Sequence, residues 1–495
     1  MQQKLILETV RIKSLPKIDV FSLGNEHSQI TRGDLHGNAI NLLFMLFKHG
    51  IATNLDHSEY EQLVTLYEKH TDDLTRDDLN QFNQYLSKIH FPRNDCLIRL
   101  LGDELADRGN NDYFTLKILQ KLHEHKIPFE ILISNHSIEF IEAYEKEKPF
   151  RSETLLRLHV RSMENLNSLL ERDLVDRTEI ESIVQTSYQA NLRALSYSLS
   201  EDKQTITLYS HAGIGLNTIA DLAKKLGVDY NDATAQKLAA TIDQINSQFQ
   251  QYVQAKTVHT LYDREIIKKF YYEPNFCVPS EKSAFEFIMW NRNYAQLQRP
   301  VHHLGYKVNF VHGHDSNDET LSHIYNLDSQ LGKGSDSCGD YKVFYSRSRE
   351  PQHNLFLDQL EKFSIKAKEL DDKDYHLSST KNSFIYQKTS SCAAELLDTL
   401  SSNYYRLINQ TIDLNTFKRE SLDAINKARP VLEQHRGWKQ ILGNLALAVA
   451  GMGVIYLVAG LVNKAVTGNF LFFKTDSAHK IDQIEKSIHS IDLPG

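Results

Sequence analysis

The sequence predicts an α/β fold followed by an all-α C-terminal region. Three observations carry this. Short apolar runs of strand length end at loops that hold carboxylates, imidazoles and glycines. Helical periodicity follows several of those loops at once, the strand–turn–helix rhythm of an α/β chain. After about residue 346 the strand signals stop and helical patterning resumes from Ser383 to Gln440.

Taken in order, Gln29-Ile30-Thr31 leads as a strand into Gly33-Asp34-Leu35-His36-Gly37, and Ala39 to Phe47 then repeats as an amphipathic helix. Residues 51–95 are polar and helical, an insertion, because a strand–helix–strand unit needs only about 30 residues. Leu97 to Leu101 is a strand that stops at Gly102-Asp103-Glu104-Leu105-Ala106-Asp107-Arg108-Gly109, with a helix from Thr115 to Leu122 after it. Phe129 to Ile133 runs as a strand into Ser134-Asn135-His136-Ser137. Residues 150–195 form a second helical insertion. Thr205 to Ser210 is a strand ending at His211-Ala212-Gly213, and residues 216–256 are helical. Tyr306 to Val311 ends at His312-Gly313-His314-Asp315, and strands near 321–327 and 342–345 close the region. Residues 347–382 are charged and read as a loop-like linker.

With 495 residues, 41% apolar and 24% charged, the composition is globular and the length calls for more than one domain. A net charge of −8 argues against nucleic acid as a partner. Cys96, Cys277, Cys338 and Cys392 lie far apart, with neither zinc nor disulfide spacing, which fits a reducing compartment. The N-terminus lacks a sustained apolar core and a small-residue cleavage site, so a secretory signal peptide is not expected.

Five loops at strand ends supply candidate metal ligands: Asp34 with His36, Asp103 with Asp107, Asn135 with His136, His211, and His314. Residues just beyond the carboxyl ends of strands are where an open α/β sheet binds its ligands. Carboxylate, imidazole and amide oxygen together suit Mn²⁺, Fe or Zn²⁺. A two-metal site needs one ligand able to bridge, and Asp103 in the central motif is the natural bridge.

In this order the five motifs resemble the signature of the phosphoprotein phosphatase family of metallophosphoesterases, over roughly residues 15–345. The resemblance implies a central β-sandwich flanked by helices, with residues 1–346 as the catalytic domain. It implies two divalent ions, Mn²⁺ first among them. Asp34, His36 and Asp103 would hold one, and Asp103, Asn135, His211 and His314 the other. It makes His136 the general acid, supported by Asp107. Arg108 and Arg292, with Asn135, would grip the phosphate, which a metal-bridging hydroxide attacks. Two departures stand out: the family's Gly-Asn-His-Glu is Ser134-Asn135-His136-Ser137 here, and His312 is an additional imidazole of structural character. Glu139 is a candidate to replace the missing glutamate, and Glu104 is not expected to be a ligand.

In the C-terminal third, Ile441 to Val462 is long and apolar enough to span a bilayer, which takes about 20 residues; a buried helix or hairpin is the other reading. Ile481, Ile484, Ile488 and Ile491 form an amphipathic tail. The segment from His435-Arg436-Gly437-Trp438 to Ser477 is similar to a module of Legionella translocated effectors, and with the phosphatase motifs the chain resembles the Wip-type effector phosphatases. That implies type IV secretion into a host cell, phosphorylated host proteins as substrates, and a host membrane as a second partner. Two other readings are a phosphate-binding membrane scaffold and a dinucleoside-polyphosphate hydrolase.

Overall fold

The computed structural model describes residues 2–19, 28–92, 95–152, 154–273, 276, 280–315, 321–347, 351–377, 383–408 and 411–452. They fall into two compact units, Met1–Ile18 with Glu26–Ser348, and Asp19–Asn25 with Arg349–Gly495.

In the first unit, β1 (Gln2–Arg11) and β2 (Gln29–Arg32) precede α1 (Ala39–Lys48), α2 (His57–Glu68) and α3 (Arg76–Lys88). The Asn38 side chain starts α1 by accepting from the amides of Ile40 and Asn41, at 3.0 and 3.1 Å. Capping boxes, Asp56 with Glu59 and Thr75 with Asp78, start the two helices of the first insertion. β3 (Leu97–Leu100), α4 (Asp112–Glu124), β4 (Phe129–Leu132) and α5 (Ser137–Glu145) follow. The second insertion supplies α6 (Arg161–Glu171), α7 (Arg177–Ile183) and a π-helical turn over Val184–Tyr188.

Next come β5 (Leu192–Arg193), β6 (Ser196–Leu199), β7 (Thr205–Tyr209), α8 (Leu216–Lys225), α9 (Ala235–Gln254), α10 (Arg264–Tyr272) and α11 (Ala284–Trp290). The unit closes with β8 (His302–His303), β9 (Tyr306–His312), β10 (Ile324–Asn326) and β11 (Cys338–Arg347).

The strands make two mixed sheets, one in the order β1-β11-β2-β3-β4-β5, the other β10-β9-β7-β6 with β8 on β9. β2 to β5 run parallel, as do β7, β9 and β10. Leu101, Leu132 and Phe344 from the first sheet pack with Tyr209, Val311 and Leu327 from the second. Arg99, buried on β3, also joins the sheets: it pairs with Glu130, donates to Thr31 Oγ1 (3.1 Å) and the Tyr197 carbonyl (3.3 Å), and lies 3.8 Å from the Tyr209 ring centre. A buried guanidinium is tolerable only with such partners.

β1 is a strand the sequence pattern did not reveal. Its Leu5 and Leu7 stay exposed, so no alternation marks it, and its partner β11 lies at the far end of the unit.

The second unit holds α12 (Pro351–Leu377), α13 (Ser383–Ile408), α14 (Leu414–Leu432) and α15 (Trp438–Ala450). The expected loop-like linker over 347–382 is corrected by α12. Its charged residues flank a narrow apolar stripe, Phe356, Leu360 and Phe363, that is fully buried. Phe356 meets the rings of Tyr404 and Phe417 at 5.1 and 5.5 Å, and Phe363 meets Trp438 at 5.2 Å. In α15, Leu442, Leu445, Ala446 and Val449 are buried, so the first half of the apolar stretch 441–462 is core. Among the described residues no helix is long and apolar enough to cross a membrane. The rest of that stretch and the tail from Ile481 to Ile491 lie outside the described residues.

Candidate metal centre and active site

The ends of β2, β3, β4, β7 and β9 deliver Asp34, Asp103, Asn135, His211 and His314 to one rim of the sandwich, all buried. The loops there are bent in an unusual way. His36, Asp103, Ala106 and His314 have φ of 56°, 53°, 55° and 75°, a left-handed backbone that costs an ordinary residue roughly 1–2 kcal/mol. Such strain persists where the surroundings over-determine it, and it gathers at functional sites. Gly313 has a separate reason: a Cβ there would sit 2.1 Å from Asp34 Oδ1.

Ligand atoms of Asp34, His36 and Asp103 lie within 4.8 Å of one another, and so do those of Asp103, Asp107 and His136. Asp103 is common to both groups. The Asp34 carboxylate is fixed by the His314 amide, 3.1 Å from each oxygen. On the other side, His211 Nδ1 lies 2.9 Å from the Leu101 carbonyl, which sets it as the protonated nitrogen. Its Nε2 then turns a lone pair toward Asn135 Oδ1 (2.8 Å) and His314 Nδ1 (3.2 Å), with Asp103 Oδ1 at 3.7 Å. A lone pair of His211 facing the Asn135 amide oxygen is an arrangement that a cation relieves.

Electrostatics agree with that reading for Asp34, His211 and His314, whereas at His36 burial is outweighed by Asp107 and Asp328, which favour its protonated form until a cation takes their charge. Burial, with Asp328 and Asp103 nearby, pushes the Asp34 carboxyl well above its ordinary range. Burial, with Arg292 and His211, pushes His314 well below its own, and burial lowers His211 too. Unprotonated imidazoles are ligands, and the carboxylates need positive charge to ionise together. The cluster can therefore hold metal ions, and its oxygen and imidazole donors suit Mn²⁺, Fe or Zn²⁺.

Beside it, His136 precedes α5 with Nδ1 2.7 Å from the Ala106 carbonyl and Nε2 3.4 Å from Asp107 Oδ1. Asp107 also meets His36 Nδ1 at 3.1 Å and Arg108 Nη1 at 2.8 Å. Burial disfavours its charge, but His136, His36 and Arg108 outweigh that and hold it well below the ordinary carboxylate range. Arg108 is about one-third exposed and faces outward. Arg292, after α11, is exposed, and among the described residues no hydrogen bond ties it to the cluster; its charge still opposes protonation of His314.

Several residues here escaped sequence reasoning. Asp328 Oδ1 is 3.6 Å and the Ser329 carbonyl 2.7 Å from His36 Nε2. Asp328 follows β10 closely, so the rule that found the other loops could have found it. Ser134 and Ser137, in place of glycine and glutamate, bond each other (2.9 Å), and Ser134 Oγ accepts from the Asp103 amide (3.0 Å). Glu139 accepts from Ser152 Oγ at 2.7 Å and pairs with Arg264, so it does not reach the His136 ring. Glu104 is buried against the Tyr188 hydroxyl (2.6 Å), its carboxyl pushed up to about 8 by burial. His312 is buried with Nδ1 3.0 Å from the Gly313 carbonyl.

Comparison with known proteins matches the chain to a family and to solved structures. A model of the WipA-like phosphatase domain matches residues 97–333, which takes in the loops from Asp103 to His314 but begins after Asp34 and His36. The crystal structure of the phosphatase domain from the Legionella effector WipB is similar at 33% sequence identity and a TM-score of 0.54, covering 61% of this chain and 100% of that one. No curated protein matches.

Proposed function

The chain belongs to the WipA-like phosphatases, and from that we propose that it is a two-metal protein phosphatase acting on phosphorylated host proteins as a translocated effector. The carrying observation is that Asp103 joins a buried ligand group with Asp34 and His36 on one side, faces the buried Asn135–His211–His314 cluster on the other, and lies beside His136 and Asp107. Asp34, His36 and Asp103 would hold one ion; Asp103, Asn135, His211 and His314 the other. When bound, the ions supply an activated water and offset phosphate charge.

The protein's own groups do the rest. Arg108 offers a planar guanidinium fork to the phosphate oxygens, and Arg292, on the exposed side, adds a second. His136 protonates the departing oxygen, and ionised Asp107 keeps its ring oriented and its proton available. The effector role is supported by the description of WipB as a Legionella effector. Type IV delivery and membrane association are supported by the C-terminal resemblance.

The test is turnover of a panel of phosphoserine, phosphothreonine and phosphotyrosine peptides by the full chain, with Mn²⁺ and after chelation. Activity should require the metal and vanish in Asp103→Asn. Metal-independent turnover, or full activity in that variant, would overturn the mechanism.

A further inference from the structure

The second insertion touches the loop Gly102–Gly109 at three points. Ser162, in the first turn of α6, holds Asp107 from both sides: its Oγ accepts from the Asp107 amide at 3.0 Å, and its own amide donates to the Asp107 carbonyl at 2.9 Å. His159, just ahead of α6, accepts through Nδ1 from Arg108 Nη2. Tyr188, at the end of the π-helical turn, donates to Glu104 Oε1 at 2.6 Å. π-turns of this kind recur at functional sites. Ser162, Asp107, Glu104 and Tyr188 are fully buried, so the Ser162 and Tyr188 contacts are shielded from water.

We infer that this insertion is a brace for the catalytic loop, in which Ser162 positions Asp107 and His159 positions Arg108. The inference rests on the phosphatase reading above. Arg108 has one arm on Asp107 Oδ1 and the other on His159, so the guanidinium plane is set before a phosphate arrives, with its other N–H donors left over. A fork held in advance loses less rotamer freedom on binding than a free side chain. Ser162 acts on the neighbouring residue. Ala106 is left-handed, so the direction of the Asp107 carboxylate toward His136 depends on how the next peptide is held. The same Oγ also fills the space where Gly37 has no side chain; a Cβ on Gly37 would come within 2.7 Å of it. The first and second motif loops thus close on one serine from the insertion.

The experiment uses the full chain loaded with Mn²⁺. Turnover is measured on p-nitrophenyl phosphate and on an alkyl phosphate, and inorganic phosphate binding by calorimetry. His159→Ala should raise KM and weaken phosphate binding by roughly threefold to tenfold, the cost of ordering one rotamer-rich side chain at the moment of binding, with kcat little changed. His159→Gln, whose amide oxygen can accept, should restore most of it. Ser162→Ala should lower kcat with little change in KM, and more on the alkyl than on the aryl substrate, because its defect runs through Asp107 to His136.

A merely structural insertion would lower thermal stability in both variants while leaving KM, phosphate affinity and the alkyl-to-aryl ratio as in the unmodified protein; that result overturns the brace. If the unmodified protein binds phosphate in a His159-dependent way yet hydrolyses nothing, the phosphatase reading fails and the brace stands.

Discussion

At the scale of single residues, His136 and Asp107 make a sharper claim than the ligands do. The carboxylate is ionised because three positive or polar neighbours outweigh its burial, and it lies 3.4 Å from the imidazole that would lose the proton. His136→Ala should therefore cost about 10²–10⁴ in kcat on a phosphoserine peptide and far less on p-nitrophenyl phosphate, whose leaving group needs little help; equal losses would remove the general-acid role. Most of the candidate centre was legible because its loops follow strands, and Asp34, His36, Asp103 and His314 stand next to a glycine there. Asp328 announced itself less, standing after a strand of only three residues. Ser162 and His159 carried no signal, since nothing in a helical insertion tells which serine turns inward.

At the scale of elements, the strands whose ends carry ligands and the capped helices were readable from apolar period and cap residues. α12 and β1 were not, for opposite reasons. In α12 a narrow buried stripe is diluted by charged residues on its other faces. In β1 half-exposed side chains blur the alternation, and the pairing that defines the strand is remote. The stripe of α12 has a measurable weight. Phe363 is fully buried against Trp438, so Phe363→Ala should destabilise the second unit by about 3–5 kcal/mol, read by chemical denaturation followed through tryptophan fluorescence. An unchanged midpoint would mean that the helix is a dispensable cover.

For the molecule as a whole, stability should be tied to metal through pH. The Asp34 carboxyl is raised in the fold, so the folded protein holds a proton that the unfolded chain has lost. Above the ordinary carboxylate range, metal-free stability falls as pH rises, until the raised value is passed. A bound cation takes the place of that proton, so stabilisation by Mn²⁺ should grow over the same interval. At a hundredfold excess over Kd it should reach about 2.7 kcal/mol, read as the difference between melting curves with Mn²⁺ and with chelator. A metal-induced shift independent of pH would argue that Asp34 is not part of the centre.

The pairing of β1 with β11, Gln2 opposite Arg347 through Arg11 opposite Cys338, has a kinetic side. Contacts between such distant parts of a chain must meet the entropy of closing a long loop before they repay it, and topologies rich in them fold slowly. Every candidate ligand from Asp34 to His314 lies inside that loop. Its first and last strands buckle the catalytic unit shut, so a nascent chain that has not yet reached residue 347 carries all the ligands of the centre without the closure that completes their sheet.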